Sequence, residues 1–472
     1  MLGSFPAGRT TLLILILLTA AFACAALFSV AASAEEPISF TNDIYPILTD
    51  RCLGCHQPAT KSGGLLMVSY ADIKQGGKHG SPLVSGDPDA SILIKYITGQ
   101  MQPRMPKNMA PLSEFEIDLF RKWIRQGAAD DTVSAATAQL KALEPPVYYA
   151  PPMITALAYS PDGNMLAISG NHEILLHRAT GEGLIARLVG RAERIHSVVF
   201  SADGKTLAAV GGSPARLGEV QVWDVENKKL LRHSRVAVDT LYGASISPDA
   251  KLLSYGCADK TIRLMSIDTG EELKRMEHHA DGVFGTVFSH DGKRLVSVSR
   301  DHFVKMTEVS SGAFIENLNL LTKATFGGQG ELYCVALHPK SDIVISGGDD
   351  RIPRMYTMNR PRAIKIDDDS CLLREFEPQA GPVLSIAFSP DGSQVAVVGM
   401  SEEINIYSVR DGSKVAGLRG HQGGVYAVAY HPNGKQIAAA GFDGTVRIYD
   451  VAGGKMVRAF VPVKIEQRVA QR

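Results

Sequence analysis

The spacing richest in chemistry is Cys52-Leu53-Gly54-Cys55-His56. Two thiols on one turn can add to the two vinyl groups of a haem macrocycle, and the adjacent imidazole is then held beneath the iron. The motif therefore predicts one covalently attached haem c, with Cys52 and Cys55 as attachment residues and His56 as proximal iron ligand. A redox-active C-x-x-C does not need the following histidine. A zinc site needs a second ligand pair, and no other cysteine lies between residues 56 and 256. Low-spin electron-transfer haem takes a second axial ligand, and methionine raises its potential. Met105, in Arg104-Met105-Pro106 on a proline-rich loop, is the leading distal candidate, with Met101 and Met109 as close alternatives. His79 lies among glycines and reads as part of an exposed loop.

Short helices must position these groups. Residues 40–51 read as a helix with Ile44, Ile47 and Leu48 on one face, leading directly into the motif. Residues 113–126 read as a better-marked helix: Ser113 and Glu116 form a capping box, Leu112 can staple to Ile117, and Gly127 ends it. A third helix is expected at 91–97, after the Gly86-Asp87-Pro88 turn. Residues 131–152 read as a proline-rich, semi-rigid linker, with a helical turn at 140–143.

Ile44-Tyr45-Pro46-Ile47-Leu48, the C-x-x-C-H, Ser62-Gly63-Gly64-Leu65, Gly86-Asp87-Pro88, Met105-Pro106 and Trp123-Ile124-Arg125-Gln126-Gly127-Ala128 occur in an order that resembles the cytochrome c domains of planctomycete-type exported proteins. The resemblance covers about residues 38–130. It implies a small all-α haem domain, set at 35–130, with the methionine of the Met-Pro pair as distal ligand.

The rest is repetitive. Tyr159-Ser160-Pro161-Asp162-Gly163 has counterparts starting at 200, 246, 288, 337, 388 and 430, with spacings of 41, 46, 42, 49, 51 and 42. Each unit alternates as β-strands do and falls near the period of WD-repeat propellers. Trp223-Asp224, Tyr449-Asp450 and Gly420-His421 are similar to WD-repeat signatures, and His279 aligns with His421. The resemblance implies an all-β, seven-bladed propeller over 153–465. It also implies that Asp259, Asp301, Asp350 and Asp443 support a tight turn, that such an aspartate bonds to the histidine of its repeat, and that His279 and His421 are structural.

Residues 1–34 read as a secretory signal: Arg9, an apolar run over 12–30, then Ala32-Ser33-Ala34, with cleavage expected after Ala34. An uncleaved membrane anchor is the alternative. With cleavage the chain is exported, to a periplasm or an equivalent compartment, with no membrane span in its mature part. Among 472 residues, 49 basic and 49 acidic side chains balance, which excludes the basic footprint of a general nucleic-acid binder. Six cysteines are too few for a disulfide scaffold. Cys257 and Cys334 read as buried thiols, and Cys371 could be reactive or paired. Asp367-Asp368-Asp369 reads as a solvated loop. Phosphate-loop, nucleophile-elbow and His-Glu-x-x-His motifs do not occur. Together these features predict a monohaem electron carrier whose propeller docks a protein redox partner. The alternatives are a propeller-containing haem oxidoreductase of nitrite-reductase-like architecture and a haem-based sensor or scaffold.

Overall fold

The computed structural model describes residues 37–57, 60–107, 109–131, 144–214, 217–237, 239–319, 330–360 and 371–467. The signal at 1–34, the turn at 140–143 and the acidic triplet at 367–369 lie outside them. The chain divides into two compact units. Of the described residues, one comprises those up to Ile44 with Leu83–Ala129, and the other Tyr45–Pro82 with those from Asp130 onward.

In the first unit the helix Glu114–Arg125 forms as its sequence predicts. The Ser113 hydroxyl accepts from the Glu116 N–H at 3.2 Å, and the Glu116 carboxylate accepts from the Ser113 N–H at 2.6 Å. The helix buries Ile117, Phe120, Trp123 and Ile124, and Trp123 stacks on Phe40 with ring centroids 5.5 Å apart. The helix Ile92–Thr98 follows Ser91. The Ser91 side chain does not cap it. Its hydroxyl instead donates to the Asp87 carbonyl at 2.8 Å and accepts from the Val84 N–H at 2.9 Å, holding the preceding turn.

The helix expected over 40–51 is not uniform. Phe40–Ile44 is a π-turn and Tyr45–Arg51 is α-helical. The change falls where Pro46 withholds the N–H that an α-helix would use. A further helix, Tyr70–Gln75, is capped by Ser69, whose hydroxyl accepts from the Asp72 N–H at 3.1 Å.

The remaining described residues of the second unit carry one seven-stranded sheet from Leu157–Tyr159 to Lys229–Ala237, then five four-stranded sheets, all antiparallel between chain neighbours. The repeat count predicts seven separate four-stranded sheets; the described residues form six. The difference lies in the strand Leu184–Phe200. Its first half pairs with Asn171–Arg178 and its second half with Thr206–Ser213, so the outer strand of one repeat continues into the inner strand of the next. At the crossing, where the pairing with Asn171–Arg178 shifts register, the buried Glu219 carboxylate accepts from the N–H groups of Arg191 and Ala192 at 3.0 and 2.5 Å.

The repeats share local chemistry. In the Ser-x-Asp turns the hydroxyls of Ser160, Ser201, Ser247, Ser289 and Ser389 donate to the aspartate two residues on, at 2.5–2.6 Å. A bulge recurs near the start of the inner strands, after Ile195, Val283, Leu332, Val383 and Val425. Side chains at this level touch from one sheet to the next: His196 meets Tyr242, Tyr242 meets Phe284, and Phe284 meets Tyr333, with centroids 4.8, 4.9 and 5.7 Å apart. The last sheet also touches the first. The Ile154 N–H donates to the Gly441 carbonyl at 3.1 Å, the His431 ring donates to the Gly163 carbonyl at 2.9 Å, and Ala427, Ala438 and Ile448 share a core with Leu157 and Leu166. Tyr148 adds a parallel bridge to Ile465 and bonds through its hydroxyl to Glu173 at 2.8 Å, tying the incoming chain to the outgoing one.

Candidate haem site

The helix Tyr45–Arg51 runs into the motif without a break. The N–H groups of Cys52 and Leu53 donate to the Leu48 carbonyl at 2.8 and 3.0 Å, and those of Cys55 and His56 to the Cys52 carbonyl, both at 3.1 Å. Leu48 and Leu53 are buried and pin this turn. Cys52 is half-buried and Cys55 exposed. A Cβ placed on Gly54 would meet no atom within 4 Å, so the side of the turn between the thiols is open.

The His56 ring is oriented from behind. Its Nδ1 lies 3.3 Å from the Leu65 carbonyl oxygen. A carbonyl only accepts, so Nδ1 carries the proton and the Nε2 lone pair is left for a ligand. A metal-bound histidine is commonly held in this way. The loop supplying that carbonyl is itself tied down: the Ser62 N–H donates to Cys55 O at 3.0 Å and the Met67 N–H to His56 O at 2.9 Å. The donor set fits a haem of the c type, with two thiols on one turn and a neighbouring imidazole in the coordinating tautomer. Leu65 is the contributor that sequence reasoning missed, because a backbone carbonyl leaves no mark in residue identity.

Met105 belongs to the first unit. Its N–H donates to the Tyr96 carbonyl at 3.1 Å, and that of Met101 to the Lys95 carbonyl at 2.9 Å, so the loop is held against the end of the helix Ile92–Thr98. Met105 and Met101 are half-buried, whereas Met109 is exposed. His79 is exposed in a turn bridged from Gly77 to Gly80.

The repeat histidines have other partners. His279 is buried, with Nδ1 3.0 and 2.9 Å from the two Asp301 oxygens and Nε2 2.8 Å from the Ser297 hydroxyl. His421 departs from the expected aspartate contact. Its Nδ1 accepts from Arg447 at 3.2 Å, Arg447 pairs with Asp443 at 2.8 Å, and the buried Nε2 has no hydrogen-bond partner. Ala439 stands where the other repeat has Ser297. Among the described residues no His, Cys, Asp and Glu side chains cluster as a metal-binding group of three or more. Cys257 and Cys334 lie on strands, and burial pushes both thiols up, Cys334 to about 12. Cys371 is buried against Arg360, and no disulfide joins the described cysteines.

A family model described as Planctomycete cytochrome C matches residues 52–108, from the first motif cysteine past Met105. The WD domain, G-beta repeat model matches 270–307, 321–357, 370–408 and 412–450. The chain thus joins a planctomycete-type cytochrome c domain to WD repeats. Curated relatives include rat Transducin beta-like protein 3, 32% identical over 152 residues, which are 31% of this chain and 18% of that protein. Drosophila Protein groucho is 23% identical over 228 residues, 48% of this chain and 28% of that protein. An uncharacterised WD repeat-containing protein of Synechocystis is 27% identical over 135 residues, 28% and 37% of the respective lengths. The chain spans less than two-fifths of the length of each of these relatives. Among the described residues no helix is long and apolar enough to cross a membrane.

Proposed function

We propose that the protein is an exported monohaem c-type cytochrome that carries single electrons, and that its WD repeats form a docking platform for a protein redox partner. The observation that carries this reading is the His56 ring, held by the Leu65 carbonyl in the tautomer that frees Nε2, one residue beyond a turn bearing two thiols. A bound haem supplies the iron that takes up and releases the electron. Cys52 and Cys55 would attach it and His56 would supply one iron ligand; on the resemblance of the Met105-Pro106 pair, Met105 would supply the other. Cleavage after Ala34 would leave a haem domain to residue 130, a linker over 131–152 and a platform over 153–465.

For the platform we infer a closed, seven-bladed ring. The strand Leu184–Phe200 serves two blades at once, which reconciles six sheets with seven repeats. The contacts between the first and last sheets support closure. Closure leaves few unpaired strand edges, which suits a surface that must dock one partner without aggregating.

The test is an optical spectrum of the mature protein, made in an exporting host with cytochrome c maturation, with a denaturing haem stain beside it. One covalent haem, low-spin and indifferent to carbon monoxide, is the expected result. Met105→Ala should then lower the midpoint potential and open the reduced iron to carbon monoxide. A second haem, or a wild-type iron that binds carbon monoxide readily, would sink the carrier reading in favour of an oxidoreductase or a sensor.

A further inference from the structure

Tyr45 opens the helix that leads into the C-x-x-C-H turn, and its hydroxyl donates to the Val68 carbonyl at 2.9 Å. Val68 follows Met67, whose N–H is bonded to the His56 carbonyl. Tyr45 is therefore packed against the segment that flanks the motif histidine. The Arg235 guanidinium lies over the Tyr45 ring, 5.8 Å from its centroid, within the same compact unit.

Arg235, Arg263 and Arg275 all project positive charge onto Tyr45. Two of them are neutralised: Arg263 pairs with Asp259 at 2.5 Å and Glu272 at 3.0 Å, and Arg275 with Glu272 at 2.9 Å. Arg235 is different. Its Nε and Nη1 are buried without a hydrogen-bond partner, and so is Nε of Arg191. Burial, and then the like charge of Arg191, pull the Arg235 pKa below its ordinary value. Glu219, the carboxylate that acts on Arg235, is already occupied. It accepts from the N–H groups of Arg191 and Ala192, from Gln221 and from the His233 ring. Guanidinium groups buried in this way call for an anion, and their planar donors match a carboxylate best.

We propose that Arg235, backed by Arg191, receives a carboxylate: a propionate of the haem attached at Cys52 and Cys55. This rests on the haem reading above. The pairing would hold the propionate ionised and set a fixed positive charge beside the cofactor, disfavouring the oxidised iron. A free dicarboxylate offers the same chemistry from another source, so the test separates the two.

The experiment uses the full mature chain, haem-loaded, as wild type, Arg235→Gln, Arg235→Lys and Arg191→Gln. Haem attachment is scored first, and then the midpoint potential is followed across pH. Arg235→Gln should keep covalent haem but show a lower potential that rises as pH falls, because the released propionate now takes up a proton in the accessible range. Arg191→Gln should move the potential in the same direction by less, and Arg235→Lys should recover part of the loss. If Arg235→Gln does not fold, Arg191→Gln carries the comparison. Wild-type potentials at every pH in both glutamine variants would overturn the assignment while leaving the haem reading intact. A wild type without covalent haem would overturn both. A haem-free Cys52→Ala/Cys55→Ala protein is titrated with succinate in parallel. An Arg235-dependent rise in melting temperature there, with unchanged potentials in the loaded variants, would replace the propionate by a free dicarboxylate.

Discussion

His56 and His279 put the same side chain to opposite uses. In the β-repeats, His279 spends both ring nitrogens on neighbours, Asp301 on one side and Ser297 on the other, and is buried with them. In the motif segment, His56 spends Nδ1 on a backbone carbonyl, which leaves Nε2 as the ring's open lone pair. A histidine whose donor and acceptor are both satisfied stiffens a fold. One held by a single nitrogen is oriented for a ligand. His421 falls between them: it is buried like His279 but has one nitrogen without a partner.

The largest effects should come from exchanging these roles. His279→Ala leaves the Asp301 carboxylate buried without its main partner, and should cost about 3 kcal/mol of stability. Chemical denaturation would read this as an earlier midpoint, with the proposed haem attachment unchanged on a denaturing haem stain. On the proposed haem reading, His56→Ala should do the reverse, altering the optical spectrum and leaving the β-sheet transition within about 0.5 kcal/mol of wild type. If either variant moved both readouts equally, the comparison would break.

Acid should weaken the β-repeats next. Burial lowers His196 and His421 from 6.5 to about 4, with Arg194 and Arg447 respectively adding to the effect. The unfolded chain therefore takes up these protons before the folded one does. Stability should fall as pH drops from 6.5 towards 4, by about 1.4 kcal/mol per pH unit for each histidine, and this contribution should level off below that window. Asp301, held ionised by His279 and two backbone N–H groups, extends the acid loss to lower pH. Unfolding free energies measured between pH 7 and pH 4 check the slope, and a flat profile would remove both histidines from the account.

The smallest effect sharpens the His279–His421 contrast. Ala439→Ser restores the hydroxyl that Ser297 supplies in the equivalent repeat, and gives His421 Nε2 a partner. It should stabilise the protein by about 1 kcal/mol, seen as a higher melting temperature. A destabilised variant would mean that the site around Ala439 is too tight for one more oxygen.

What could be read directly from the chain is what short spacings control. The C-x-x-C-H turn, the Ser113–Glu116 capping box and the Ser-x-Asp turns each join residues a few positions apart, so residue identity nearly determines their geometry. The repeat period likewise announced the WD repeats. The helix Tyr70–Gln75 carried a readable signal in Ser69-x-x-Asp72, but it is short and lies between glycine-rich stretches.

Tertiary structure decided whatever depends on a partner far along the chain. Ser297 and Ala439 separate two histidines that look alike locally, because the hydrogen bond of His279 to Ser297 reaches across 18 residues and Ala439 offers His421 none. The merging of two repeats through Leu184–Phe200 shows only in the packed chain, where Glu219 on another strand accepts from the N–H groups at its middle. Of the three arginines acting on Tyr45, only the packed chain shows which two found carboxylates. Local chemistry is written in spacing, whereas burial, and with it the cost of an unmet charge or donor, exists only once distant segments have packed together.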